Sequence, residues 1–344
     1  MTTATYSSPG QRRGTILGQI MKHAIHVSTV EISGETWKQP VKMGDTVVFR
    51  QVIPFGATAA APNVISTTAA AHLIQEGQNP NADSISTLDT TVQVQKYGAL
   101  YSYTERQASL GEDDIPSWME QQLGERLGLV RELIYIGALQ GNTNRFYAGG
   151  TSRATVDESL SLNLMDRITR SLRGSHGKFI RETMKSSQNY GTVALQPAFL
   201  SFTHTDAQRD IEAMAGYSPT SDYGKASLVH DLEIGKVGSH RFNPSADIPY
   251  FKDAGAAVGG TGLKSTGASN IDVYQMFSMA KDAWGHTAFR GLDAVKLNHI
   301  PVNKVDKSDP TGERGYVSGT FYDAGVVTNH GWMATIEFGV AALT

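Results

Sequence analysis

The chain has 344 residues, no cysteine, 30 basic and 33 acidic residues, and a formal net charge of −3. That length allows a sizeable core in one large or two interleaved domains, while the missing cysteines exclude disulfides, thiolate metal sites and a cysteine nucleophile, and suit a reducing cytoplasm. The near-neutral balance excludes a dedicated nucleic-acid binder, and a charged fraction of only 18%, against about 25% in ordinary soluble domains, leaves surface to be covered by partners.

Residues 1–44 are polar and mildly basic (Arg12, Arg13, Lys22, His23), with a short apolar patch from Ile16 to Ile25 that suits one or two helical turns. They read as an arm that a neighbour must order. Their first ten residues lack the positive start and apolar run of a signal peptide, and no stretch approaches the ~18 apolar residues of a membrane span. A strand is predicted at Thr46–Ile53, followed from Pro54 to Asp89 by an Ala-, Thr-, Ser- and Asn-rich stretch with few large apolar residues. So long a region without period points to function or partner contact.

From Thr91 to Thr104 the pattern is strand-like, but Val92 and Val94 lie on one parity and Tyr97, Tyr101 and Tyr103 on the other, so a bulge or bend is expected near Gly98. Ser117-Trp-Met-Glu120 fits a capping box, with Asp113 and Asp114 before it to complement the dipole. Met119, Leu123, Leu127, Val130 and Ile134 then recur at helical spacing, so a helix is predicted to about Gln140. A shorter amphipathic helix fits Leu162–Leu172. Beyond it, Thr192–Phe202 reads as extended, Thr205–Met214 as helical and Val237–Phe242 as a strand. Asp253–Asn270 reads as a flexible surface loop, and Ile271–Met279 as an apolar strand. Trp332, Ala334, Ile336, Phe338 and Val340 share one parity, which predicts a half-buried antiparallel strand.

Candidates for chemistry are few. His204, Asp206 and Asp210 offer an imidazole and two carboxylates to a metal, but Thr205 and Asp206 are also what a helix start wants. Glu112-Asp113-Asp114 suits a hard cation or, more simply, the dipole of the following helix. Gly259-Gly260-Thr-Gly262-Leu-Lys264-Ser265 fails the phosphate-loop pattern, because Leu263 separates glycine from lysine. His23 and His26 are the one close histidine pair, and no nucleophile elbow occurs. No catalytic, cofactor-binding or metal-binding residue is therefore assigned.

An ordered set of short motifs remains: Leu73-Ile-Gln-Glu-Gly-Gln-Asn-Pro80, Lys96-Tyr97-Gly98, His204-Thr-Asp206, Glu233-Ile-Gly-Lys-Val-Gly238 with Arg241-Phe242, and Lys307-Ser-Asp-Pro310. Over residues 45–340 this set resembles the major capsid proteins of tailed bacteriophages, in the family typified by phage N-four. The resemblance implies an α+β chain with the Hong Kong 97-type fold. It places an N-terminal arm at 1–44, an extended loop at 45–91, and a peripheral domain at 92–190 whose long spine helix is 117–140. An axial domain would follow at 191–296, with C-terminal strands at 297–344 returning to the peripheral domain.

The function so implied is a coat protein that assembles through pentamers and hexamers into an icosahedral virion shell in the bacterial cytoplasm. Its partners would be a separate scaffolding protein, a portal protein, a cement or decoration protein, and packaged double-stranded DNA through weak non-specific contact. It would need no cofactor, metal or membrane. An encapsulin-like compartment shell is the alternative on the same fold, and a metal-dependent hydrolase using His204, Asp206 and Asp210 the alternative in another class. In cross-linking relatives a loop lysine bonds to a neighbour's asparagine, but no lysine lies here between Lys42 and Lys96, so a shell without covalent links is expected.

Overall fold

Two sheets and one long helix organise the chain. The computed structural model describes residues 27–74, 76–77, 79, 82–110, 114–184, 192–223, 228–305 and 309–343. The expected helical turns at Ile16–Ile25, the His23 and His26 pair, Glu112 and Asp113, and parts of the 73–80 and 307–310 motifs lie outside the described residues.

In chain order, β1 (Glu35–Gln39), β2 (Thr46–Val52), β3 (Thr87–Gln93) and β4 (Gln95–Thr104) precede α1 (Glu105–Leu110) and α2 (Ile115–Gln140). Next come β5 (Arg145–Tyr147), α3 (Leu162–Gly174), β6 (Ile180–Met184), β7 (Thr192–Thr203), α4 (Gln208–Glu212) and β8 (Tyr217–Pro219). The chain continues through β9 (Gly235–Val237), β10 (His240–Pro244), β11 (Tyr274–Met279) and β12 (Trp284–Phe289). It finishes with β13 (Lys296–Ile300), β14 (Arg314–Val327) and β15 (Met333–Phe338).

The eight-stranded sheet has the order β5-β15-β11-β7-β10-β9-β8, with β6 also on β7. One face packs on α3 through Leu164, Met165, Ile168 and Leu172, against Phe199, Tyr274, Ile336 and Phe338. The other face presents Leu200, Phe202, Phe277, Met279 and Met333 to Tyr135, Ile136 and Leu139 of α2 and to Trp284. A sheet covered on both faces leaves no solvent parity. That corrects the half-buried reading of the last strand, since every residue of β15 is buried. Its polar residues are satisfied from afar: Glu337 receives Arg145 at 3.1 Å and Arg153 at 2.8 Å.

The five-stranded sheet is centred on β14, which pairs with β4 along one edge and with β13 and then β12 along the other, β1 adding in parallel to β12. The sheets cross the expected segment boundaries: β1 belongs to a stretch expected to be arm, and β12 to one expected to be axial. The described end of that arm is tied to its own subunit. Buried Glu132 of α2 accepts from the Thr29 and Val30 backbone amides at 3.0 and 2.8 Å and from the Ser28 and Thr29 hydroxyls at 2.7 and 3.0 Å.

Several local expectations are corrected. The break comes at Val94, not Gly98: β4 keeps an unbroken register on β14 from Gln95↔Asp323 to Thr104↔Arg314, while β3 pairs with β2. Gly98 instead allows close approach, since a Cβ there would lie 2.8 Å from Thr320 Cγ2 and 2.9 Å from Gly319 O. The N-cap of α2 is Asp114, not Ser117; its carboxylate accepts from the Ser117 hydroxyl at 2.6 Å. At 26 residues and 1.5 Å per residue, α2 spans about 39 Å. The expected strand at 237–242 is a hairpin, β9 and β10, turning at Gly238 with φ 56°. The stretch 253–270 is pinned rather than loose, because Gly255 N donates to Ile271 O and Lys264 N to Val340 O, and Leu263 is buried.

One buried histidine ties the fold to pH. His240 bonds Thr169 Oγ1 at 2.9 Å through Nε2 and Ser278 Oγ at 2.9 Å through Nδ1, and burial pushes its pKa down to about 3. The folded value lies below the ordinary 6.5, so between those limits the unfolded chain binds the extra proton. Stability from this group is complete above pH 6.5 and lost as pH falls toward 3, at up to ~1.4 kcal/mol per unit. Urea unfolding of the unassembled chain from neutral to acid pH should show a shallower decline for His240→Gln than for wild type. Parallel declines would refute the assignment.

Candidate functional site

The feature that leaves the body of the chain is the β2–β3 ribbon. Its register runs from Thr46↔Gln93 to Val52↔Thr87, the two strands being joined through residues 53–86. Two strands alone are marginal in water, and apart from buried Ile53 this ribbon leaves most of its apolar residues uncovered: Phe55 is 67%, Leu73 77% and Ile85 82% exposed, with Val48, Val52, Val64 and Ile74 also exposed. Its root is fixed by Trp37 on Phe49, at 4.7 Å between centroids, and by Val94 N donating to Asp45 O. Within the ribbon, Arg50 forks onto Asp89 with both bonds at 2.7 Å. Asn63 and Asn329 exchange reciprocal amide hydrogen bonds of 2.8 Å, which tie the segment to the start of the last strand. A second open surface is β13, exposed at all five residues. So many apolar side chains on one projection need covering by another surface.

Of the residues considered for chemistry, His204 and Asp206 stay adjacent, 3.6 Å apart, while Asp210 is engaged elsewhere. His204 Nδ1 accepts from Asp206 N at 3.0 Å as a helix cap, and burial lowers its pKa. Asp206 takes Lys264 at 2.6 Å and Tyr274 at 2.7 Å; burial would raise its carboxyl, but these bonds outweigh it and hold it below its usual range. Asp210 accepts from Ala341 N at 3.0 Å, and burial raises it. Each group thus has a structural partner, and among the described residues no three such side chains cluster to hold a metal. The sequence reading missed the charge pair that unites its leading motif: Glu233 and Arg241 meet at 2.6 Å in the interior.

No protein-family model and no curated protein matches the chain. Solved structures do. The capsid of Ralstonia phage GP4 matches with a TM-score of 0.65 at 11% identity, over 100% of this chain and 99% of that one. The Cyanophage Pam1 capsid matches at 0.64 and 13% identity over 100% of both. The chain has the phage capsid fold. The head protein of Helicobacter pylori bacteriophage KHP40 adds a match at 0.63 and 9% identity, over 99% and 98%. At such identities the likeness is one of fold, and it spans both sheets, the ribbon and α2. No described helix is long and apolar enough to cross a membrane.

Proposed function

We propose that the chain is the major capsid protein of a tailed bacteriophage, of the N-four type, which assembles through pentamers and hexamers into an icosahedral shell around the genome in the host cytoplasm. Its role is structural rather than catalytic. The carrying observation is a full-length capsid fold from which one ribbon projects with most of its apolar side chains uncovered. In this reading residues 1–44 are the arm, 45–91 the extended loop, 92–190 the peripheral domain with α2 as spine, 191–296 the axial domain, and 297–344 the returning strands. Copies of the chain cover each other's ribbons, and scaffold, portal and cement proteins complete the particle. Negative-stain microscopy of the purified protein, alone and with its scaffold, should show capsomers or shells. A compact 37.1 kDa monomer at high concentration under both conditions would overturn the reading.

The shell should also be free of covalent links. Isopeptide formation needs a neutral amine to attack an amide carbon, and the ribbon offers only Arg50, which stays protonated, and His72. Mature particles boiled in detergent should run as a single band near 37.1 kDa. A surviving ladder of multimers would contradict this.

A further inference from the structure

Between the end of α3, the start of β6 and the turn joining β11 to β12 lies a cleft of about 590 Å³. Its walls carry Arg173, Lys178, Arg181 and Lys281 against the single carboxylate of Glu182. Four positive charges less one leave +3 in a chain whose total is −3. We propose that this cleft binds phosphate groups, those of a nucleic-acid backbone or of a free polyphosphate.

The backbone builds the arrangement. Lys281 N donates to Lys178 O at 2.9 Å, so two lysines about a hundred positions apart emerge side by side. Gly177 permits this approach, since a Cβ there would lie 2.8 Å from Leu172 O and 3.2 Å from Ala280 Cβ. Arg173 lies over the Phe179 ring at 4.8 Å, and that ring packs on Phe199 at 4.6 Å, which anchors it to the core. A guanidinium set over an aromatic face is restrained there and presents its fork of donors to the cleft.

Seven cations elsewhere are compensated within the subunit. Lys38, Arg50, Arg131, Arg145, Arg153, Arg241 and Lys264 each meet a carboxylate within 3.3 Å. Among the described residues none of the four cleft cations has such a partner. The carboxylates beside Lys281, Glu35 and Asp282, face each other: burial and then the contact with Asp282 raise the Glu35 carboxyl, with Lys281 a weaker opposing influence. Like charges brought together by backbone contacts, four cations against one carboxylate in the cleft wall, make an anion seat.

Charge density selects phosphate. The cleft has the volume of a small-ligand site, and an occupant must bring about three negative charges into it. A carboxylate brings one, whereas consecutive phosphodiesters or a tripolyphosphate bring three or more, with oxygens that match arginine bidentately. A duplex is too wide to enter, so it would offer one strand's backbone at the mouth. The site concentrates in one place a contact with DNA that overall composition leaves weak, and as a property of the single subunit it does not depend on assembly.

Calorimetry of the full chain at low salt with sodium tripolyphosphate, and anisotropy with a short labelled single strand, test the proposal. Arg181→Ala combined with Lys281→Ala should weaken binding of tripolyphosphate about tenfold and lower the salt-dependence slope by about two. Lys304→Ala, an exposed lysine outside the cleft, should do neither. The substituted side chains are exposed, so an unchanged thermal transition should accompany the loss. Tighter binding of the oligonucleotide than of tripolyphosphate identifies the backbone as source; the reverse identifies free polyphosphate. Equal binding by variant and wild type, or a preference for oligoglutamate over both phosphate ligands, overturns the inference.

Discussion

Glu233→Ala is expected to destabilise the unassembled chain by about 3–5 kcal/mol, because it removes one half of a buried ion pair. The side chains of Glu233 and Arg241 are 0% and 2% exposed and meet at 2.6 Å. The carboxylate also accepts from Val229 N at 2.7 Å and from the Tyr223 hydroxyl at 2.9 Å, and Tyr223 closes the group with its ring 5.0 Å from the guanidinium. Burial first, and then the Glu233 charge, keep that phenol protonated far above its usual range. Alanine leaves the Arg241 charge in the interior without its carboxylate and strips an acceptor from a buried amide. Replacing both partners together, Glu233→Leu with Arg241→Met, removes the charge as well as its compensation and should cost much less than the sum of the two single changes. Urea unfolding across this double-mutant cycle reads the coupling. A loss below about 1 kcal/mol for Glu233→Ala, the range of exposed pairs, would show that the pair is solvated in the free subunit.

That pair also shows what the sequence makes legible. Glu233-Ile-Gly-Lys-Val-Gly238 with Arg241 stands out as a motif, and the structure gives its physical content: the turn at Gly238 folds β9 back on β10 and so brings Glu233 onto Arg241. Elements set by local pattern were readable, notably α2, α3, β2 and β7, and so was the poverty of large apolar residues at 54–89 that makes the ribbon a projection. Elements set by distant partners were not. β15 breaks the alternation rule because Glu337 is neutralised by Arg145 and Arg153, some 190 positions earlier. The parity change near 94–98 reads equally well as a bulge or as a chain leaving one sheet for another, and only the pairing of β3 with β2 and β4 with β14 decides. The phosphate cleft was invisible for the same reason, its lysines meeting through a backbone bond that no local pattern encodes.

Leu127→Ala should give insoluble or non-assembling protein, whereas Glu125→Ala should not. Leu127 is 1% exposed and packs with Leu123, Tyr103, Val317 and Phe321 where α2 crosses β4 and β14; Glu125, two residues along, faces the helix surface near Gln121 and Gln122. Truncating a buried leucine costs about 2–5 kcal/mol, the spread reflecting how far the site collapses. Here collapse is limited, because the wall opposite is β14 backbone at Gly319, held in register by β4 and β13 on both sides. That glycine supplies an internal control. A Cβ at 319 would stand 2.5 Å from Leu127 Cδ1, 3.1 Å from Leu297 Cδ2 and 3.4 Å from Leu123 Cδ2. Gly319→Ala alone should therefore overpack and cost about 1–3 kcal/mol. In the Leu127→Ala background the same methyl enters the vacated space and should restore part of the loss. Thermal unfolding of the four chains, followed by assembly assays, distinguishes the cases. If Gly319→Ala deepens the defect of Leu127→Ala rather than relieving it, the register of α2 on β14 is wrong, and with it the placement of the helix proposed as the spine of the shell subunit.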